Sequence, residues 1–471
     1  MKDINGFMRF LPALAVAGVL YLTEAPTGIS VPVWHAFTLF SGFILACFFS
    51  AASLGVLVLV LLCSLLLTKS VPLEVLLGGY GNPAVWLVLF AFFTSVGFRK
   101  TCFGQRVAYH FIAVMGHHPI LLVYAISFCD FLIAPFLPNT NARGAGIIFP
   151  ITKALAEALD SGPAASSRKK IGSYLFMASF QLNLIIGAVF LTAMSTNPLA
   201  VAMLQASFGI EISWLTWFVY ASVPMLLVSV AVPWVIYGLN KPTMTAEEMK
   251  LAPRFAREQL KKMGPMAKRE KVLLAIFLGM ITLWTLGPAL QIHAAVVALT
   301  GVVLMLYTKI IAYADLLEEK MAWDILLWLA PLLALTGFLA GHGVIHWLVT
   351  CIQAPFLGCA FIFVYAALVL LYFYIHYFLT SLFIHLQAFF LPFVTVLAAL
   401  GGDLYVIGMV FALLTCVSPG TTHYGTGTAA IYYASGYVTQ KEWWLTGAVV
   451  SVVEVFFIAG VGYLWMSLLR A

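Results

Sequence analysis

The chain has 471 residues, 63% of them hydrophobic and 9% charged, with a mean hydropathy of +1.03. That leaves too little polar surface to clothe a soluble globule, and long, predominantly apolar runs such as Leu54 to Thr68 and Trp444 to Trp465 exclude the alternating pattern of a membrane β-barrel. The net charge of +6 is first a topology signal and gives no ground for a nucleic-acid partner, so the chain reads as an all-α polytopic protein embedded in a lipid bilayer.

The opening MKDINGF lacks the Ser/Arg-rich character of a transit peptide, and the apolar segment behind it runs into Glu24 rather than a small-residue cleavage site. It reads as a retained first helix, in keeping with a multi-pass protein of a bacterial plasma membrane. The seven cysteines are scattered and odd in number, with neither a disulfide framework nor metal-ligand spacing, and no metal or other cofactor is expected. Pro83 to Val96, followed by Gly97-Phe98 and an amphipathic stretch, leads to a segment from Pro119 to Asp160 that leaves and re-enters one basic face. Its middle, PNTNARGAGIIFP from Pro138 to Pro150, is too polar for an ordinary pair of spans and reads as the tip of a re-entrant hairpin. Beyond it, Thr196-Asn197-Pro198 interrupts an apolar helix.

Asn240 to Lys271 carries nine Lys/Arg and four Glu, a soluble linker that the positive-inside tendency places in the cytoplasm. The second half repeats the plan. Ala322 to Thr336 followed by Gly337-Phe338 matches the earlier pair, yet its flank bears His342 and His346 where the first bears Arg99, Lys100 and Arg106. That reversal of flanking charge is what an inverted-topology repeat requires. A second candidate hairpin spans Phe356 to Leu400, and Ser418 to Gly427 is a second interruption. Paired broken helices in corresponding places mark a transporter binding site.

Each tip opens with a small polar residue and carries a potential cation four positions on: Asn139 and Arg143, Ser381 and His385. A charge at this depth costs about 2.5–3.5 kcal/mol on insertion scales and needs a partner. Asp130, the nearest carboxylate to Arg143, lies well down the other arm, which favours a bound dianion held by forked guanidinium donors. His376 and His423 are weaker candidates. The runs Gly144-Ala145-Gly146 and Gly425-Thr426-Gly427 each lead into an apolar helix whose start can approach an anion. No nucleotide loop, HExxH or GxSxG pattern supports an enzyme.

With these residues in view, APFLPNTNARGAGIIFPI, the TNPLA break, HYFLTSLFIH, and THYGTG with the following GYV closely resemble the divalent anion:sodium symporter family. Within it they resemble the exchanger branch of 2-oxoglutarate/malate translocators and citrate/succinate antiporters. The resemblance implies about eleven transmembrane helices plus two re-entrant hairpins, two inverted repeats, a homodimer and elevator-type movement of a transport body against a scaffold. On that plan, residues 1–118 are scaffold helices with an interfacial helix, and 119–239 are transport elements. Residues 240–271 form the linker, 272–354 a second scaffold set, and 355–471 a second transport set.

The candidate substrate-binding residues are Asn139, Thr140, Asn141 and Arg143 in the first tip and Asn197 in the first break. In the second half they are Ser381 and His385 in the tip, and Thr421, Thr422, His423 and Gly425 in the break. The expected activity is exchange of small dicarboxylate anions without sodium, the fixed Arg143 and His385 doing what sodium does in the symporters. Sodium-coupled dicarboxylate uptake is the nearest alternative. A transport-inactive membrane sensor is a further one, favoured only by the apolar Leu382 and Phe383 at the second tip.

Overall fold

The computed structural model describes residues 11–49, 52–353, 356 and 358–471, and it is helical, with no strand among the described residues. The opening MKDINGF and the boundary expected at 354/355 lie outside them. Among the described residues, eleven helices are long and apolar enough to cross a bilayer. The total matches the expectation, but its membership does not. It includes Pro119–Phe136, Phe361–Phe378 and Leu382–Ala399, which are arms of the two expected hairpins. Leu54–Leu67 and Ala294–Tyr307, 14 residues each, extend only about 21 Å at 1.5 Å per residue, short of a hydrocarbon core of about 30 Å.

The chain divides into two compact units. One takes the described residues up to Leu89 with Leu199–Glu211 and Lys320–Ala412; the other takes Phe90–Pro198, Ile212–Glu319 and Leu413–Ala471. In the first unit, Leu54–Leu67 and the turn at Gly79–Gly81 pack on Lys320–Gly341. Gly79 sits so close to the Ala330 carbonyl that no side chain fits there. In the second, Gly172–Val189, buried along its whole length, forms the core against Pro119–Ile133 and Trp214–Leu239.

Local structure recurs between the halves. Thr68 and Thr308 each end a helix by bonding back to a carbonyl four residues earlier, Ser64 and Leu304, at 2.7 Å. Lys69 and Lys309 behind them take positive φ, 54° and 56°. The amphipathic stretches form helices Phe103–Met115 and Val344–Gln353. The breaks before them fall at Cys102 (φ 54°) and Gly343 (φ 84°), not at Gly97 and Gly337, through which the helices continue.

Both hairpins run through an arm, a 3-10 turn, a polar tip, a π-helical segment and a second arm, the second with a four-residue helix, Leu382–His385, between its tip and its π-helical segment. The π-helical segments, Asn141–Ile148 and Leu386–Phe390, each end two residues before a proline, Pro150 and Pro392. Proline lacks the N–H for the normal bond and its ring collides with the carbonyl four residues back, so a widened turn relieves both problems.

The charged linker is a docked structure. Thr245 and Glu248 form a capping box, and Leu251–Met263 lies on Phe103–Met115 with Ala252, Pro253 and Ala256 buried. Arg106 closes the joint, pairing with Glu270 at 2.9 Å and donating to the Gly264 carbonyl at 2.8 Å. The alternation of apolar and basic residues at helical spacing explains why so charged a stretch packs rather than trails.

Candidate functional site

The first tip is anchored from behind. Thr94 Oγ1 donates to the Phe136 carbonyl at 2.9 Å, and Phe136 stacks on Phe277, which stacks on Phe98. Asn139 turns the chain into the π-helical segment, its Oδ1 accepting from the N–H of Asn141 at 2.8 Å and of Ala142 at 3.4 Å. Its amide oxygen is therefore spent on the turn. Thr140 is buried beside it.

Arg143 is fully enclosed, and its position corrects the expectation of a cation awaiting a dianion. Nε faces Asp130 Oδ1 at 2.5 Å, a charge pair rather than an aligned hydrogen bond. Nη1 donates to the carbonyls of Ala193 and Leu137 at 2.7 and 3.1 Å, and Nη2 to that of Asn183 at 2.8 Å. Asp130 Oδ2 also accepts from Asn183 Nδ2 at 2.8 Å. Every guanidinium nitrogen is engaged by the protein. Asp130 reaches it because residues equally far from a hairpin's turn face each other, and 130 and 143 are equidistant from the turn at 136–137. Distance along the arm, the ground for discounting Asp130, is the wrong measure.

Asn197 is likewise a brace. Its Nδ2 donates to the carbonyls of Gly187 and Phe190 at 2.9 and 3.0 Å, and its Oδ1 accepts from Cys416 at 3.0 Å. Gly187 lets the Arg143 brace close, since a Cβ there would stand 2.7 Å from Met194 Cε and 3.1 Å from Arg143 Nη2.

Within the same unit the structure brings the first tip against the second break. Thr428 Oγ1 donates to Asn141 Oδ1 at 2.6 Å, and Gly427 lies so near that a Cβ would be 3.1 Å from the Asn141 amide. Asn141 and Gly427 are both exposed. Thr426 caps the helix Gly427–Ala434 by accepting from Ala429 N–H, while Thr421 bonds back to the Ser418 carbonyl. Thr422 is buried with no partner for its hydroxyl among the described residues. His423 accepts from Trp444 Nε1 at 3.1 Å and packs on Tyr433. Gly425 lies tightly against the Pro419 carbonyl, where a Cβ would be 2.8 Å away.

Ser381 and His385 belong to the other unit. Ser381 is extended and its carbonyl accepts from His385 N–H at 3.2 Å. Buried His385 places Nδ1 3.0 Å from Nδ1 of buried His376. Two imidazolium rings would each present an N–H there, so one Nδ1 is the acceptor and the pair holds at most one positive charge. His385 is therefore not an independent fixed cation, a second correction. Leu382 is buried, and Phe383 packs edge-on against Trp328 at 4.6 Å, which gives the apolar tip residues a packing role.

Asn183, Gln181 and Thr428 escaped the sequence reading. Gln181 donates to the Gly420 carbonyl at 2.9 Å. Polar residues inside wholly apolar stretches were the available sign for the first two. A groove of about 400 Å³ in the second unit, lined by Phe128, Phe131, Leu226 and Trp234 among others, offers an anion no charged donor.

Comparison with known proteins places these features in context. The family model described as sodium:sulfate symporter transmembrane region matches residues 5–471. The chain is 34% identical to dicarboxylate transporter 1, chloroplastic, of Spinacia oleracea, over 97% of this chain and 80% of that protein. It is 34% identical to the putative malate transporter YflS of Bacillus subtilis (strain 168), over 98% and 96% of the two chains. It is 31% identical to the L-tartrate/succinate antiporter of Escherichia coli (strain K12), over 99% of each. Among solved structures, the YdaH transporter of Alcanivorax borkumensis superposes with a TM-score of 0.54 at 11% identity, covering 83% of this chain and 87% of that one, a likeness of fold.

Proposed function

The chain belongs to the sodium:sulfate symporter transmembrane region family, a family of multi-pass membrane transporters, and from that premise we propose that it exchanges small dicarboxylate anions across a membrane. The observation that carries this reading is the meeting of Asn141 with Thr428 at 2.6 Å, beside an exposed helix start at Gly427. A substrate carboxylate would take the Asn141 amide and the first N–H groups of Gly427–Ala434, where the helix dipole adds to the attraction. Exchange, rather than one-way uptake, is supported by full-length relatives whose names include an antiporter. Elevator-type movement, an inverted repeat and a homodimer complete the proposal, the repeat supported by the paired hairpins and the Thr-Lys helix ends.

A second reading gains from the Arg143–Asp130 pair. Because Asp130 already neutralises the guanidinium, the empty carrier has no unpaired arginine to move, and the electrostatic ground for obligatory exchange through Arg143 falls away. A co-bound sodium ion would then supply part of the dianion's countercharge. Proteoliposomes decide between them. Labelled succinate is expected to enter sodium-free vesicles only when they contain unlabelled dicarboxylate. Robust entry into vesicles without internal dicarboxylate, driven by a sodium gradient, would overturn exchange and establish symport.

A further inference from the structure

Three buried carboxyl side chains lie in the second unit: Asp130, Glu270 and Glu454. Asp130 faces Arg143 and Glu270 faces Arg106. Glu454, 1% exposed, has no basic side chain within ion-pair distance among the described residues, and its Oε1 is buried without a hydrogen-bond partner. It is the penultimate residue of Gln440–Val455, directly before the π-helical Phe456–Gly462. Of the other two π-helical segments among the described residues, one contains Arg143 and one directly follows His385, each matched by a partner across its own turn. Such segments concentrate at functional sites, and the carboxyl beside the third lacks a base among the described residues.

Among the described residues, the elements packed most closely on this helix bring Glu454 no base. Trp214–Leu239, packed against this helix, has only Tyr220 and Tyr237 as titratable groups. The Ser418–Thr421 turn has none, with Cys416 just before it, and Phe456–Gly462 has none. Tyr463 and Arg470 follow on the terminal helix, and Lys441 and Glu442 lie more than three turns back on its own. An ionised carboxylate is costly in such a setting, whereas the acid is not. The same helix also touches the candidate site. Gly447, seven residues earlier on the same face, is seated so closely that a Cβ would stand 2.8 Å from the Thr421 carbonyl and 2.9 Å from that of Gly420. About two helical turns, roughly 10 Å, separate the carboxyl from that seat.

We propose that Glu454 is a proton-binding site linking anion movement to pH. Enclosed, the side chain is the carboxylic acid; when water reaches this face of the helix, the O–H bond breaks, the proton passes to water as hydronium and the carboxylate remains. The link to transport rests on the function proposed above, but proton binding does not, so the two are tested separately.

Infrared difference spectra of purified full-length protein against Glu454→Gln are expected to show a protonated-acid carbonyl band at neutral pH that disappears reversibly on alkalinisation. A missing band, or one unchanged by alkali, overturns the proposal whether or not transport is detected. Exchange is measured above about pH 7, where small dicarboxylates are ionised. There the wild-type rate is expected to fall, approaching about tenfold per pH unit as the acid form is lost, since the protonated fraction then changes tenfold per unit. Glu454→Gln should flatten that profile, whatever its absolute rate, and Glu454→Asp should keep a slope. Identical profiles in wild type and Glu454→Gln overturn the link to transport.

Discussion

Arg143 and Asp130 meet across the turn of one hairpin, Nε to Oδ1 at 2.5 Å, both enclosed by protein. Removing one partner from a buried ion pair costs about 3–5 kcal/mol, because the other charge is left stranded, while replacing both is far cheaper. Asp130→Asn and Arg143→Gln should each lower the unfolding temperature markedly, and the double substitution should be more stable than either. Thermal melts in detergent check this. Additive losses would mean the pair is not a unit.

Gly144 and Gly146 are a matched contrast within one motif. A Cβ at Gly144 would stand 2.5 Å from Asn183 Oδ1 and 2.8 Å from Thr428 Cγ2, whereas at Gly146 it would meet nothing within 4 Å. Gly144→Ala should impair dicarboxylate exchange and stability by about 1–3 kcal/mol, the usual cost of overpacking. Gly146→Ala should stay within about 0.5 kcal/mol of wild type. Equal behaviour of the two would remove the tip-to-break contact from the site.

The His376–His385 contact predicts coupling. If one proton bridges the Nδ1 atoms, substituting either histidine removes the same hydrogen bond, so the double variant should lose less than the sum of the singles. A double-mutant cycle on exchange rates should give a coupling of about 0.5–3 kcal/mol. A value near zero would separate the two residues.

At the periphery, Asp315 accepts from the Ala312 N–H and from Lys100, both at 2.6 Å, and these hold its carboxyl below the ordinary range. A depressed carboxyl contributes stability above its unfolded pKa, about 3.9, and loses it as pH falls through the lower folded value. Acid unfolding of Asp315→Asn should therefore begin from a slightly less stable protein and show a shallower pH dependence in that window. The difference should be about 0–1 kcal/mol, as for other surface pairs, and a steeper dependence would contradict the assignment.

The sequence by itself determined the class and most of the apolar helices, because these follow from apolar run length, but it placed several breaks wrongly: helix continues through Gly97 and Gly337, and Thr196-Asn197-Pro198 opens the helix Thr196–Phe208 instead of interrupting one. Its Ser418–Gly427 interruption falls between the helices Leu404–Val417 and Gly427–Ala434. What each polar side chain does was decided by tertiary structure. Asn139, Arg143 and Asn197 carry donors and acceptors that suit a ligand equally well, and only their neighbours spend those groups internally. Asp130 against Arg143 and His376 against His385 are contacts set by the turn of a hairpin, which period and composition do not encode. Glu454, the one charged residue between Trp444 and Trp465, carries the same sign in sequence as Gln181 and Asn183, but the packing shows that its Oε1 lies buried without a partner. Residue type fixes what a group can bond; the fold fixes which bonds remain open, since burial removes water as the default partner.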